Sequence, residues 1–451
     1  MTIAIPPCAA GILEALEAAG YESYAVGGCV RDAMLGLTPH DWDVCTAARP
    51  DQIEAVFAGK RVIATGIAHG TVTVLFDGCP VEITTFRSDG EYSDGRRPDG
   101  VTFVDDVHED LLRRDFTVNA MAYSPTRGLR DDFGGQEDLS ARRLRCVGCA
   151  DDRLREDSLR ILRGLRFAAR YGLAADPETD RSLRENRRLL SNVSAERIFA
   201  ELKGILTAPG AGAVMLAYPE IFFAVFPEMA PMLGFDQHLP GVHQYDVWGH
   251  TACAVDAAPP DTAVRLTMFF HDCGKPATFF LDPETGRGRF YGHPEAGAET
   301  ADALLRRLRS DNALRETVTE LIRCHSHHAG QTRKALRRLL SRLGEERMRL
   351  LFSVWRADAA AHTPQTFQKR LPLIEQEERV FEELLSEGSC RSVRDLAVGG
   401  RDLLALGAAP GPALGAVLQS LLDEVMDEQL PNERDALLRR AEQLMATAAD
   451  A

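Results

Sequence analysis

Lysine is nearly missing from this 451-residue chain: Lys60, Lys203, Lys275, Lys334 and Lys369 stand against 47 arginines. Arginine suits phosphate recognition, but genomic codon bias explains the imbalance more simply, so it carries no functional weight. Apolar runs long enough to span a bilayer are also missing. The opening residues, MTIAIPPCAAGILEALEAAG, lack a basic leader and carry Glu14 and Glu17 among apolar positions. That pattern predicts an amphipathic helix in place of a signal peptide, and hence a cytoplasmic protein. The ten cysteines are scattered through apolar contexts, which excludes a disulfide framework and fits buried reduced thiols. Cys146-Val-Gly-Cys149 has metal-type spacing but no second pair close by in sequence, so it reads as structural. Positive charge is short as well: a net charge of −15 does not suit a general RNA-coating protein, which is normally basic. Any grip on nucleic acid must be local. What remains is ordinary for a soluble protein of two to four domains, with 45% hydrophobic and 26% charged residues.

The most informative stretch is Tyr24 to Thr46, YAVGGCVRDAMLGLTPHDWDVCT. Tyr24-Ala25-Val26 suits a strand, and Gly27-Gly28 then opens a helical segment, Cys29 to Leu35. Two glycines at a helix start permit close backbone approach, and the free NH groups there suit a triphosphate. Arg31 adds a fixed cation, and Asp32 beside it either orients Arg31 or packs locally. Asp41-Trp42-Asp43-Val44 reads as a second strand, on which Asp41 and Asp43 share a face. A carboxylate pair beside a phosphate cradle is what Mg²⁺ needs, since it takes few protein oxygens and completes its shell with phosphates and water. Asp51 to Phe57 is expected to be helical, and Thr71 to Phe76 with Pro80 to Phe86 to form a hairpin across Asp77-Gly78. Glu82 on the second of these strands is either a third carboxylate level with the pair or a sheet salt bridge.

GGxVRD followed by DxD resembles the signature of the nucleotidyltransferase superfamily in its tRNA nucleotidyltransferase and bacterial poly(A) polymerase branch. Further stretches carry the same resemblance. Arg87 to Phe103, RSDGEYSDGRRPDGVTF, has no periodicity and is expected to be a mobile loop; it resembles the family's flexible loop, linked there to the final adenosine step. RRDFTVNA resembles the second motif, which implies that Arg113 and Arg114 face the triphosphate and that Asp115 accepts a hydrogen bond from the ribose 2′-hydroxyl. Asp132-Phe-Gly-Gly135 to Asp138-Leu139 resembles the hinge motif, closing the catalytic domain near Gly148. One long helix is predicted over Asp151 to Tyr171, with Asp157, Arg160, Arg163 and Arg166 in a polar stripe. REDSLRILRGLRFAARYGL within it resembles the base-template motif at Glu156, Asp157 and Arg160. SAERIFAELKGIL opens with a variant of a capping box at Ser194 and resembles the motif that buttresses the template helix through Glu196 and Arg197.

A second constellation follows. His250, the pair His271-Asp272 in FFHDCGKP, and Asp358 in WRADAAAH are in the order of the HD metal phosphohydrolases, and His293 and His325 are offered as further ligands. Imidazole and carboxylate together suit a divalent transition metal. Arg370 to Ala451 is expected to be helical, with loops at Gly399 to Leu403 and Leu406 to Pro412; it resembles the tail of Gram-positive-type CCA-adding enzymes. No basic extension follows Ala451.

The resemblance covers nearly the whole chain and identifies it as similar to the bacterial CCA-adding tRNA nucleotidyltransferases, class II of the nucleotidyltransferase and poly(A) polymerase family. It implies an α+β fold: a mixed α/β nucleotidyltransferase head at 1–148, a helical neck and body at 149–239, an HD-type metal domain at 240–365 and a helical, tRNA-binding tail at 366–451. It also implies addition of C, C and A to tRNA from CTP and ATP, with Asp41 and Asp43 holding Mg²⁺, and Gly27, Gly28, Arg31, Asp157, Arg160, Arg163 and Arg166 binding nucleotide; a second divalent metal is the further expectation at His250, His271, Asp272 and Asp358. The alternatives are a poly(A) polymerase of the same fold, or a metal-dependent phosphohydrolase whose head only binds RNA.

Overall fold

The computed structural model describes residues 2–90, 100–326, 332–387, 392–427 and 429–449. The chain forms two compact units, Met1–Ala230 with Arg307–Arg309, and Pro231–Arg306 with Ser310–Ala451.

The first unit begins with α1 (Pro7–Ala18), whose buried face is Ala9, Ile12, Leu13 and Leu16. Then come β1 (Ser23–Val26), α2 (Gly28–Met34), β2 (Asp43–Thr46), α3 (Pro50–Val56), β3 (Arg61–Gly66), β4 (Thr71–Phe76) and β5 (Cys79–Thr85). A short ribbon of β6 (Arg87–Asp89) and β7 (Val101–Phe103) precedes α4 (Val107–Leu112), β8 (Ala122–Ser124), β9 (Gly128–Arg130) and α5 (Gly135–Ser140). Seven of these strands make one sheet in the order β3-β4-β5-β2-β1-β8-β9. It is mixed because β2 runs parallel to β5 while the other neighbours are antiparallel. α1 closes one side over Val44, Ile53, Val72, Val74, Val81 and Ile83; each such side chain removed from water contributes about 1.5–3 kcal/mol.

The expected hairpin is present. Asp77 and Gly78 both have positive φ, 49° and 85°, the two left-handed positions that a tight antiparallel turn requires. Three local expectations need correction. β2 starts at Asp43, so Asp41 lies on the irregular segment before it and does not share a strand face with Asp43. The uninterrupted Arg87 to Phe103 loop has paired ends, β6 and β7, while its 91–99 portion lies outside the described residues. Gly400–Ala405 is a helix and not a loop, because the Asp402 carboxylate accepts the Gly399 N–H at 2.7 Å and caps it.

The predicted long helix is also two helices, α6 (Ala150–Glu156) and α7 (Leu159–Tyr171), with Asp157 extended between them at φ −139°, ψ 102°. Asp157 Oδ1 accepts the Leu159 N–H at 3.1 Å, the local bond by which aspartate starts a new helix. Two short strands, β10 (Arg143–Leu144) and β11 (Ala174–Ala175), pair around this region. α8 (Pro177–Glu185), α9 (Ala195–Leu206), α10 (Ala211–Ala217) and α11 (Pro219–Val225) follow. Ser194 occupies the N-cap of α9 but makes no side-chain cap bond, so the expected box is not formed.

The second unit is helical apart from a small ribbon, β12 (Phe280–Leu281) with β13 (Gly288–Arg289). Its helices are α12 (Val247–Ala257), α13 (Thr262–Phe270), α14 (Lys275–Thr278), α15 (His293–Arg307), α16 (Asn312–Cys324), α17 (Arg333–Ala360) and α18 (Pro364–Ser386). Trp248, Phe269, Phe270, Phe352, Trp355 and Phe381 fill its centre. α19 (Gly400–Ala405), α20 (Pro412–Met426) and α21 (Arg434–Ala449) gather a separate small core of Leu403, Leu418, Leu421, Leu422 and Leu437. Among the described residues no single helix is long and apolar enough to cross a membrane.

Candidate active site and metal centre

In the first unit, β1 ends in a turn that glycine must make. Gly27 has φ 79°, and a Cβ there would lie 2.7 Å from an Arg114 guanidinium nitrogen and 3.6 Å from the Asn119 carbonyl. The bare backbone therefore faces a fixed cation across the mouth of the turn. Arg114 is held by Asp110, which accepts from it at 3.1 Å and from Arg113 at 2.7 and 3.0 Å. Burial works against charge on Asp110, but the two guanidinium groups more than offset it and hold the carboxyl below its ordinary value.

Arg31 lies beside the same turn, 3.5 Å from a Cβ at Gly28, yet it faces inward. It donates to Asp32 at 2.9 Å, to the Tyr171 hydroxyl at 2.6 Å and, very closely, to Asn119. Its guanidinium also stacks over the Tyr171 ring, 4.4 Å from the centroid, with Phe167 at 5.2 Å. Asp32 does orient it.

Asp43 and Glu82 are direct partners in the parallel register of β2 and β5. Asp43 reaches solvent at the head of β2, yet the protein packed around its carboxyl takes away part of its hydration and pushes it up to about 6, with Glu82 and Asp41 adding to the effect and Arg114 pulling the other way. Asp41 itself is largely exposed and accepts a 2.9 Å contact from His40. Asp43 with Glu82 and Asp41 near it and a single arginine opposing them form a donor set that a small hard dication would satisfy.

Asp115 is buried and doubly occupied. Arg163 donates to its Oδ2 at 2.8 and 2.7 Å, and Asn119 and its neighbour's Phe116 N–H donate to its Oδ1 at 3.0 and 2.8 Å. Burial opposes its charge, but Arg163, Asn119 and Arg160 hold the carboxyl well below the usual range. The arginines of α7 do not form one stripe, because each three-residue step falls about 60° short of a full turn. Arg160 is buried against Glu156 at 2.5 Å and the Arg113 carbonyl at 3.2 Å. Arg163 meets Asp115, and Arg166 meets Glu201 on α9 at 2.6 Å. Asp157 is clasped by both terminal nitrogens of Arg197, at 3.1 and 2.6 Å. Glu196 contacts Arg309.

The second unit brings all six expected metal residues together. His250 Nε2 lies 3.0 Å from Asp358 Oδ1 and 3.5 Å from Asp272 Oδ2, and His271 Nε2 is 3.1 Å from Asp272 Oδ2. His293 and His325 face the other oxygen of Asp272, at 3.8 and 3.6 Å. Asp272 is buried, and its Oδ2 is paired with Lys275 Nζ at 2.7 Å as well as with His271 Nε2 at 3.1 Å. Imidazoles and carboxylates gathered this closely are a donor set that suits a divalent cation. The sequence reading missed His243, His362 and Arg370. His362 is four residues after Asp358, a helical spacing that could have revealed it; Arg370 donates to Asp358 Oδ2 at 2.9 Å. His243 precedes α12 and gave no periodic signal.

Comparison with known proteins covers the same regions. The model of the Poly A polymerase head domain matches residues 23–145, and that of tRNA nucleotidyltransferase domain 2 matches 295–441. Residues 172–233 match a model described as "Probable RNA and SrmB- binding site of polymerase A". The chain is 35% identical to the CCA-adding enzyme of Lacticaseibacillus paracasei over 95% of its own length and 94% of that protein's. It is 33% identical to that of Levilactobacillus brevis over 95% of both. The crystal structure of the Bacillus stearothermophilus CCA-adding enzyme in complex with CTP superposes with a TM-score of 0.73 at 27% identity, covering 99% of this chain and 100% of that one.

Proposed function

Since the chain belongs to the family of CCA-adding enzymes, we propose that it completes the 3′ end of tRNA by adding C, C and A from CTP and ATP, releasing pyrophosphate at each step. The observation that carries the reading to this chain's own residues is the convergence of Asp43, Glu82, the Gly27 turn and Arg114. The terminal tRNA hydroxyl attacks the α-phosphorus, a new P–O bond forms to the ribose oxygen, and the bond to pyrophosphate breaks. A tRNA substrate and a nucleotide partner agree with the cytoplasm as the place of action.

Family members use divalent metals, and Asp41 and Asp43 are the residues assigned to hold Mg²⁺, which when bound lowers the attacking hydroxyl's pKa and screens the leaving pyrophosphate. The rest falls to the protein. Gly27 and Gly28 let the backbone NH groups approach the phosphates, Arg114 and Arg113, fixed by Asp110, oppose their charge, and Arg31 keeps the turn in place. Asp115, aimed by Arg163, is assigned to the ribose 2′-hydroxyl.

The base is read by Asp157 and Arg160. Cytosine and adenine each offer an amino donor next to a ring acceptor, which an aspartate acceptor and an arginine donor complement; uracil and guanine reverse that order. Both residues engage protein partners, Arg197 and Glu156, that the base must replace. Arg163 and Arg166 hold this segment through Asp115 and Glu201. The cluster of imidazoles and carboxylates in the second unit favours an additional activity there, metal-dependent phosphoester hydrolysis at His250, His271, Asp272 and Asp358. The test of the main reading is incubation with tRNA lacking its 3′ end, CTP and ATP: growth by three nucleotides, ending in A, is expected. Continued addition of A would make the protein a poly(A) polymerase.

A further inference from the structure

The cysteines divide by exposure. Cys29, Cys45, Cys146, Cys273 and Cys324 are buried, as their apolar contexts predict, but Cys79 is exposed and Cys8 is only half-buried. These two meet. Cys8 lies in the first turn of α1, four residues before Ile12 and so on the same helical face, and it packs against the core that Ile12, Val81 and Ile83 share. Cys79 opens β5, and the alternation of that strand places it on the face of Val81 and Ile83, the face that α1 covers. Both sulfurs therefore stand at the outer edge of one helix-on-sheet layer, in side-chain hydrogen-bond contact with each other.

The backbones come together at the same place. The partner of Cys79 across the hairpin is Phe76, and a Cβ at Gly11, one turn along α1 from Cys8, would lie 2.6 Å from the Phe76 ring. Helix and hairpin thus touch beside the thiols, and the missing side chain at Gly11 permits the approach. The contact has a chemical consequence. The hydrogen bond to Cys8, and the charge of a Cys8 thiolate, push the Cys79 thiol up, because two thiolates resist forming side by side. One sulfur can act as a nucleophile while its neighbour keeps a proton.

We propose that Cys8 and Cys79 are an oxidation site: a dithiol that hydrogen peroxide closes to a reversible disulfide, stapling α1 to the β4–β5 hairpin. The thiolate attacks one peroxide oxygen, the O–O bond breaks and a sulfenic acid forms, while the proton that this thiol gave up leaves with the other oxygen as water. The neighbouring sulfur then attacks the sulfenic sulfur, an S–S bond forms, and hydroxide departs with the second thiol's proton as another water. Two sulfurs lose two electrons, and the peroxide gains them. A small-molecule thiol reopens the bond by exchange. The covalent ring runs through the Gly27 turn and Asp43, so the staple restrains the strands that carry the nucleotide site without using a residue assigned to it.

The full chain, reduced and freed of thiol, is treated with hydrogen peroxide, quenched with an alkylating reagent and digested for mass spectrometry. A peptide linking Cys8 to Cys79 is expected, with a mass loss of about 2 Da that dithiothreitol reverses. The oxidised protein should also melt several degrees above the reduced form, since a cross-link restricts the unfolded chain. Cys8→Ser and Cys79→Ser should each abolish both effects, whereas Cys149→Ser, at another exposed cysteine, should keep them. Sulfinic acid at Cys79 without the linked peptide, or Cys79 joined to a second copy of the chain, overturns the pairing. A linked pair that leaves the melting temperature unchanged overturns the staple. The peptide map of the parent decides the pairing even where a serine variant does not fold.

Discussion

The two polar centres of this protein are built on opposite plans. In the first unit, Asp41 and Asp43 sit at the open end of a sheet, with Asp41 largely exposed and Asp43 at the first residue of its strand. In the second, His250, His271, Asp272 and Asp358 are all buried, on or next to helices packed on every side. An open carboxylate site suits an ion that arrives with a substrate's phosphates and leaves with the product. A sealed set of imidazoles and carboxylates suits an ion retained between turnovers. On the proposed assignments, burial of the ligands would separate a substrate's metal from a resident one, although both sites use aspartate.

The largest effect expected from this contrast is a double dissociation. Asp43→Ala should reduce nucleotide addition by about a thousandfold, the equivalent of several kcal/mol of lost charge stabilisation, while leaving tRNA binding close to normal in a filter assay. Asp272→Ala should remove phosphoester hydrolysis and spare addition. Loss of both activities in either variant would break the comparison.

Next in size is Asp110→Asn, which tests the sealed foundation beneath the open site. Removing one partner of a buried ion pair costs about 3–5 kcal/mol, seen as a lower urea midpoint for the first unit. Because the folded carboxyl is held below its ordinary value, its stabilisation is complete above the unfolded value near ~4 and is lost as pH falls through the lowered folded value. The gap between wild type and variant should therefore be full at pH 7 and shrink below about pH 4. A gap that stays constant would show that packing, and not charge, holds Arg113 and Arg114.

The smallest effect concerns specificity. Asp157→Ala should lower CTP use and let UTP compete, changing the CTP to UTP preference by about ten- to a hundredfold, since each unpaired buried polar group costs about 1–3 kcal/mol. Single-turnover rates with each nucleotide measure it. An unchanged preference would move base reading away from this segment.

These outcomes also bear on what the sequence could disclose. The Asp77-Gly78 turn was legible because it depends on short-range backbone geometry, whereas Glu82 was left between two roles until the parallel pairing of β2 with β5 set it opposite Asp43. The His and Asp residues of the second unit were legible as residue types in order, although their division between two sides of Asp272 was not. Arg31 and Arg160 were read as cations facing a ligand, yet each is buried among partners; the Tyr171 hydroxyl that accepts from Arg31 lies 140 residues away. The split between α6 and α7 escaped because Asp157 interrupts a helical pattern that continues unchanged on either side. β3 escaped because Arg61–Gly66 shows no clear alternation, although the Phe57–Lys60 turn precedes it. For Arg31 a long-range partner decided what local pattern left open; at Asp157 a local side-chain bond did.

One of those partners has a wider consequence. Arg31 joins the glycine turn to Phe167 and Tyr171, at the C-terminal end of α7, through hydrogen bonds and stacking, so the turn is tethered to the helix whose other end carries the proposed base-reading residues. Under that assignment the pair would act as a caliper with its opening set by the fold, and the length of the product would be governed by how often the RNA end can be advanced between its jaws.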